Sequence, residues 1–413
     1  MSALYDAFTR YPRISTDTRN IVPDSLFFAL RGASFDGNRF AAEALDKGAA
    51  VAVVDDPSVA VDARYIVVED TLKALQELAR THRRALGIPI LAIAGSNGKT
   101  TTKELVSRVL SERFTIYATR GNLNNHIGVP LTLLAMDHTV EFGVVEMGAS
   151  ACGEIAALCA IAEPDYGLLT NVGRAHLEGF GGVEGVRRGK GELYDHLAAH
   201  AKSAFVRAND PILTEMAEER IALQKINYLD QLADAIPHHL EGEYNRYNVA
   251  AAAAVGAHFE IGEEAVRRAI DSYRPDNNRS QRTQTKHNTL ILDCYNANPS
   301  SMQLAVANIL QEKVEDRASK VLILGDMREL GAWSEEEHKT LIHQASSDHS
   351  ARLILVGTEF RKALDALDEQ PQIEWFADCA ALCEALQAEP IRNALILLKA
   401  SRGIGLERAL PHL

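Results

Sequence analysis

The sequence predicts an α/β protein of three domains in series, and three observations carry that prediction. A buried, β-branched run at 88–94 passes through a glycine turn into a helix-periodic stretch that opens on Lys and Thr. Apolar runs of strand length recur on both sides of it with helical segments between them, the pattern of parallel sheets covered on both faces. A Pro- and Asn-rich stretch at 273–279 interrupts the pattern and reads as a linker. The expected domains are 1–82, 83–276 and 277–413.

In the first domain, 24–30, 49–54 and 64–68 read as strands. Helices are expected at 40–47 and 71–86, the second with Leu72, Leu75, Leu78 and Ala79 on one face. Polar stretches 15–19 and 31–38 fall on turns, either as solvated loops or as part of a site. The second domain has strands at 89–94, 143–147, 165–169 and 203–206 around a parallel sheet, and a buried Ala-rich helix at 248–259. The third, with strands at 289–293, 321–324, 353–356 and 394–398, is of Rossmann-like type. No internal repeat or low-complexity segment is present.

Of the 413 residues, 46% are apolar and 24% charged, as in a globular protein, and no apolar run is long enough to span a membrane. The first 16 residues lack a charged segment followed by an apolar one, so no secretory signal is expected. Cysteines 152, 159, 294, 379 and 383 form no C-x-x-C pair, which argues against a disulfide framework or zinc site and for the cytoplasm. A net charge of −13 argues against nucleic acid as a partner, since that needs a basic face. It leaves anionic small substrates open.

Gly95, Ser96, Asn97, Gly98, Lys99, Thr100 and Thr101 form a phosphate-binding loop of the shorter G-x-x-G-K-T type, with Ile93 where a longer loop has its first glycine. Glycines let backbone N–H groups approach phosphate oxygens, Lys99 adds a cation, and Thr100 is placed to hold Mg²⁺. Ligands of open parallel sheets bind beyond the carboxyl ends of strands, where Glu146, Asn171 and His176 fall. His176 is either near a metal or a hydrogen-bonded loop residue. Lys190 reads as the first turn of a helix, where its charge opposes the helix dipole; it is either a surface lysine or one whose charge is cancelled or reversed. The amide-rich loop 121–130 suits a polar ligand or simply starts a helix. In the third domain, 293–299 and 399–403 bring a carboxylate, amides and cations to strand ends and suit a ligand with a carboxylate.

GSNGKTT (95–101), GNLNNHIGVPLTLL (121–134), EMGAS (146–150), NVGRAHLE (171–178), DCYNANPSSM (293–302), LGDMRELG (324–331) and KASRG (399–403) resemble, in this order, the Mur ligases, ATP-dependent amide-forming enzymes of peptidoglycan synthesis. DCYNANP is the most specific of these and is similar to the branch of the family that adds D-alanyl-D-alanine. The resemblance implies a uridine-nucleotide-binding first domain, ATP and Mg²⁺, and the small-molecule substrates UDP-MurNAc-tripeptide and D-Ala-D-Ala, with a monomer expected. It implies catalytic roles for Lys99, Glu146, His176, Lys190 and Arg279. Thr100, Glu146, His176 and Lys190 would surround metal, Lys190 as a carbamate; Asn245, Asn248 and Asp293 would lie on the nucleoside side of ATP. Ser15, Thr18, Arg19 and the 31–38 stretch would meet the uridine diphosphate, and Asn124 and Asn125 the acceptor further along. Asn296, Asn298, Lys399, Ser401 and Arg402 would face the dipeptide. The family's Gly-x-His-Asn is Gly242-Glu-Tyr244-Asn245 here, leaving the histidine's role vacant or taken by Tyr244, and its KGSRG is KASRG. A sibling ligase with another donor, or a non-catalytic ATP-binding regulator, are the competing readings.

Overall fold

The structure, a computed structural model, describes residues 2–275, 279–313, 319–347, 351–367 and 373–413. Three main sheets follow one another along the chain, each built around the expected apolar runs, and a fourth, two-stranded one pairs Arg31–Gly32 with Phe35–Asp36 inside the stretch read as a polar turn. The first is parallel, in the order Ile14–Ser15, Leu26–Phe28, Val51–Val54, Tyr65–Val67. Its covering helix Thr71–Leu86 has the predicted bounds. Asp70 caps its start by accepting from Lys73 N, and Gly87 ends it with a left-handed φ of +64°.

The central sheet is parallel throughout, in the order Gln224–Tyr228, Ser203–Arg207, Tyr166–Leu169, Ile90–Ala94, Phe142–Glu146, Ile116–Ala118. The middle strands are fully buried because helices cover both faces. The Ala-rich helix Asn245–His258 packs on one face and starts three residues earlier than the sequence suggested. The third sheet runs Gln281–Gln284, Thr289–Asp293, Ala394–Lys399, Ser319–Gly325, Ala351–Val356, Glu374–Phe376, with only the first strand antiparallel.

The strands missing from the sequence reading are edge strands or short ones, such as Ile14–Ser15, Ile116–Ala118, Gln224–Tyr228, Gln281–Gln284 and Glu374–Phe376. Each lies at the edge of its sheet and pairs on one side only, and none carries a long apolar run; Gln281–Gln284 reads Gln-Arg-Thr-Gln. The expected boundary between second and third domains at 276 falls outside the described residues.

One expectation is overturned. Lys190 does not begin a helix: it lies in the middle of Val183–Ala199, far from the dipole's positive end. Its puzzle is burial, for it is 1% exposed.

Candidate active site

The carboxyl end of the central strand Ile90–Ala94 turns at Gly95 and Gly98 into the helix Lys99–Ser111. Both glycines are required. Gly95 has φ +135°, and a Cβ there would lie 2.1 Å from Thr170 Oγ1; Gly98 has φ +80°, and its Cβ would lie 2.6 Å from Asn248 Oδ1. The loop is braced from below: Asn171 accepts from Asn97 N at 3.1 Å and donates to Asn97 O at 3.0 Å, while Thr170 Oγ1 donates to Asn97 O at 2.6 Å. Asn171 is thus a support for the loop. Lys99 Nζ donates to the Gly95 and Ser96 carbonyls at 2.8 and 3.1 Å. Burial lowers its pKa, Glu146 opposes that shift and Arg279 adds to it.

This loop lines one side of a cavity of about 720 Å³, within the range of small-molecule sites. Asn124, Asn125, Glu146, His176, Asn245, Asn248, Arg279, Asp293, Asn296, Asn298 and Lys399 line it too, so residues from the second and third domains share one chamber. Thr100 sits just behind the wall, its Oγ1 donating to Glu146 Oε2 at 2.9 Å, and Asn124 Nδ2 donates to the other carboxylate oxygen at 2.8 Å. Both groups are buried oxygen donors, a set that suits Mg²⁺ when phosphate oxygens complete the shell. Asn248 receives the Thr102 hydroxyl at 3.0 Å and donates to Asn245 Oδ1 at 2.7 Å, holding the helix start.

His176 carries an unusual backbone, φ +52°, and its Nδ1 meets the carboxylate of Glu329 from the third domain. That hydrogen bond pulls the Glu329 carboxyl below its ordinary pKa. Lys190 Nζ donates to Ala149 O at 3.0 Å and lies 4.8 Å from the centre of the Phe180 ring. Desolvation is the main cause that pulls its pKa down to about 7, with repulsion from Lys99 second.

On the opposite wall, Asp293 and Lys399 are register partners on adjacent strands and form an ion pair at 2.5 Å, with Lys399 buried. Arg279 lies 3.7 Å from the centre of the Tyr295 ring, and Arg402, which does not itself line the cavity, lies 5.2 Å from it. Asn298 caps the helix Pro299–Gln311 and reaches the phosphate loop, its Nδ2 donating to Asn97 Oδ1 at 2.7 Å. Ser300 Oγ accepts from Arg174 N at 2.8 Å, and the Arg174 guanidinium pairs with the buried Glu337.

Not every predicted residue reaches the chamber; Lys190 does not line it, its Nζ being bound to Ala149 O. Ser401 turns its hydroxyl inward, donating to Ala297 O and accepting from Arg328 N, so it shapes the third-domain loops. Ser15, Thr18 and Arg19 stay in the first domain and do not line the cavity. There Ser15 meets Ser25 at 3.0 Å, and Arg19 pairs with Asp17 at 2.6 Å. Tyr295 and Glu329 sit inside motifs read from the sequence, yet only the fold reveals that they contact Arg279 and His176.

Comparison with known proteins covers the whole chain. Residues 10–83 match the Mur ligase family catalytic domain, 93–229 the Mur ligase middle domain, and 278–402 the Mur ligase glutamate ligase domain. UDP-N-acetylmuramoyl-tripeptide–D-alanyl-D-alanine ligase of Bacillus subtilis is 32% identical, over 97% of this chain and 92% of its own. The crystal structure of MurF from Acinetobacter baumannii superposes with a TM-score of 0.86 at 29% identity, covering 99% of this chain and 97% of that one. MurF ligase from Thermotoga maritima, solved in complex with ADP, gives 0.84 at 25% identity over 98% and 97%. With catalytic, middle and C-terminal domain matches in series and full-length relatives above 30% identity, the chain belongs to the Mur ligase family.

Proposed function

We propose that this protein is the ADP-forming ligase that joins D-alanyl-D-alanine to UDP-N-acetylmuramoyl-tripeptide, giving the pentapeptide precursor of peptidoglycan, and so serves cell-wall synthesis, cell shape and division. The observation that carries the reading is the shared chamber: the phosphate loop and the DCYNANP face of the third domain line the same cavity. The names of the full-length relatives support the same substrates.

The chemistry is two displacements. A terminal carboxylate oxygen of the tripeptide attacks the γ-phosphorus of ATP and ADP leaves, forming an acyl phosphate. The dipeptide amine then attacks the acyl carbon, loses a proton, and inorganic phosphate departs from the tetrahedral intermediate. The protein contributes position and charge. The loop N–H groups of 95–100 and Lys99 hold the phosphates, and Arg279 meets the γ-phosphate. Asn245, Asn248 and Asp293 serve the nucleoside side. Asn124 and Asn125 steady the acceptor; Asn296, Asn298, Lys399 and Arg402 orient the dipeptide. Ser15, Thr18 and Arg19 meet the uridine diphosphate. Thr100 and Glu146 would hold Mg²⁺, with His176 near a second ion; bound metal would neutralise charge on the phosphates.

A buried amine with a pKa near 7 is about half unprotonated at neutral pH, and the neutral amine is the form that adds CO₂. Lys190 as a carbamate (amine plus CO₂, one proton released) would carry negative charge towards the metal side of the chamber. The enzyme works as a monomer in the cytoplasm, where ATP and its nucleotide-sugar acceptor are held; no helix among the described residues is long and apolar enough to cross a membrane.

The test is phosphate release by the purified chain. It is expected only when ATP, UDP-MurNAc-tripeptide and D-Ala-D-Ala are all present. Equal turnover with a single amino acid would favour a sibling ligase, and nucleotide binding without acceptor-dependent turnover would overturn the reading.

A further inference from the structure

Where the family's motif has histidine, this chain has Tyr244, and the structure gives that tyrosine a partner in another domain. Its ring lies against Gly242, whose φ is +91° and where a Cβ would come within 2.4 Å of the ring. Its hydroxyl is 2.5 Å from Ser280 Oγ. Tyr244 immediately precedes the central-domain helix Asn245–His258, and Ser280 immediately precedes the first strand of the third sheet. The hydroxyl pair therefore spans the junction of the two domains. An ion pair between Arg282 and Glu241, 3.3 Å long and partly exposed, runs beside it.

Ser280 is buried and holds φ +48°, a left-handed conformation that a serine keeps only where its surroundings enforce it. Directly before it comes Arg279, which lines the cavity and rests on the Tyr295 ring. The direction of the Arg279 side chain follows from the backbone of that turn. Two contacts hold it in place: the hydroxyl pair fixes the turn, and Tyr295 carries the guanidinium.

We infer that Tyr244 and Ser280 are positioning residues for phosphoryl transfer, clasping the strained turn at 280 so that Arg279 points at the ATP side of the chamber. The inference rests on the ligase reading above. It assigns the tyrosine a role that acts through Arg279 and needs no contact with substrate.

The test compares steady-state phosphate release by the full chain and its variants Tyr244→Phe, Ser280→Gly and Arg279→Lys, with ATP, UDP-MurNAc-tripeptide and D-Ala-D-Ala. Misplacing one group by a fraction of an ångström predicts about a tenfold fall in kcat for Tyr244→Phe and for Ser280→Gly, with a smaller change in KM for ATP. The melting temperature of Ser280→Gly should stay within a few degrees of the parent's, because glycine adopts φ +48° freely and that relief offsets much of the lost hydroxyl contact. In an Arg279→Lys background, Tyr244→Phe should cost little more, as expected of coupled residues. A kcat within about twofold of the parent for both hydroxyl variants, or losses that simply add to that of Arg279→Lys, would overturn the inference and leave the ligase reading standing. A parent chain with no acceptor-dependent phosphate release would overturn both.

Discussion

Asn298 allows structure and catalysis to be separated by two substitutions at one position. Its Oδ1 accepts from Ser301 N at 3.0 Å and caps the helix Pro299–Gln311, in a capping box completed by Ser301 Oγ accepting from Asn298 N. Its Nδ2 donates to Asn97 Oδ1 in the phosphate loop at 2.7 Å, with a weaker return contact at 3.4 Å. Asn298→Ala removes the cap, about 1 kcal/mol, and the amide contact to Asn97, about 1 kcal/mol more, so about 2 kcal/mol of stability should go. Asn298→Asp keeps the accepting oxygen and places a carboxylate at a helix N-terminus, where charge is favourable by about 0.3–1 kcal/mol. That gain offsets much of the lost amide contact, so its stability should stay within about 1 kcal/mol of the parent. The same carboxylate, however, now opposes the phosphates held beside Asn97. At about 8 Å and an effective dielectric of about 20 the repulsion is about 2 kcal/mol, about thirtyfold in KM for ATP. Urea unfolding and ATP titrations of turnover measure the two quantities separately. An Asn298→Asp enzyme with the parent's KM, or one that unfolds as easily as Asn298→Ala, would refute the reasoning.

Three further outcomes follow from the site's geometry. Lys99→Met keeps the buried volume but removes the cation under the loop, and turnover should fall by about 10²-fold or more, read in the same phosphate assay. Gly98→Ala meets both a φ of +80° and the Asn248 amide, so it should destabilise by about 1–2 kcal/mol in urea and weaken nucleotide binding measured by calorimetry. Lys190 titrates near 7 when folded and near 10.5 when unfolded. Between those values the unfolded chain holds the proton that the folded chain has released, so stability should rise with pH there, by up to about 1.4 kcal/mol per pH unit, and the effect vanishes below pH 7. Urea curves in CO₂-free buffer at several pH values, compared with Lys190→Met, isolate that slope; parallel curves for the two proteins would contradict it.

The phosphate loop was legible because its parts are local: a strand, two glycines, Lys99 and Thr100 within a dozen residues. The same holds for the apolar middle strands of each sheet. Pairings across the chamber were not, because nothing in residue order brings Asn97 to Asn298, His176 to Glu329 or Tyr244 to Ser280. Each joins loops that only meet once two separate sheets have folded and docked. The sequence therefore exposed the types of group at the site and left their partners open. Asp293 and Lys399 illustrate the cost of that gap: the resemblance gives Asp293 to the nucleoside side of ATP and Lys399 to the dipeptide, and the fold first pairs them with each other. Any substrate group that approaches either one must compete with an existing ion pair.

The expectation for Lys190 fails for a physical reason that also explains its chemistry. Gly185, Gly189 and Gly191 weaken the helical signal around it, so the pattern alone places the helix start at the lysine. In the fold, two of those glycines are packing sites. A Cβ at Gly185 would strike Phe180 O at 1.7 Å, and one at Gly189 would lie 2.4 Å from the Phe180 ring. The missing side chains let Phe180 settle onto the helix and beneath the amine, 4.8 Å from Nζ. A helix of better formers would hold Phe180 away and leave Lys190 wetter, with a higher pKa and less neutral amine. What chiefly lowers its charge is burial against an aromatic ring within a glycine-rich helix, so filling Gly189 with alanine should raise the Lys190 pKa, read from the pH dependence of urea unfolding, even though no charged group has been touched.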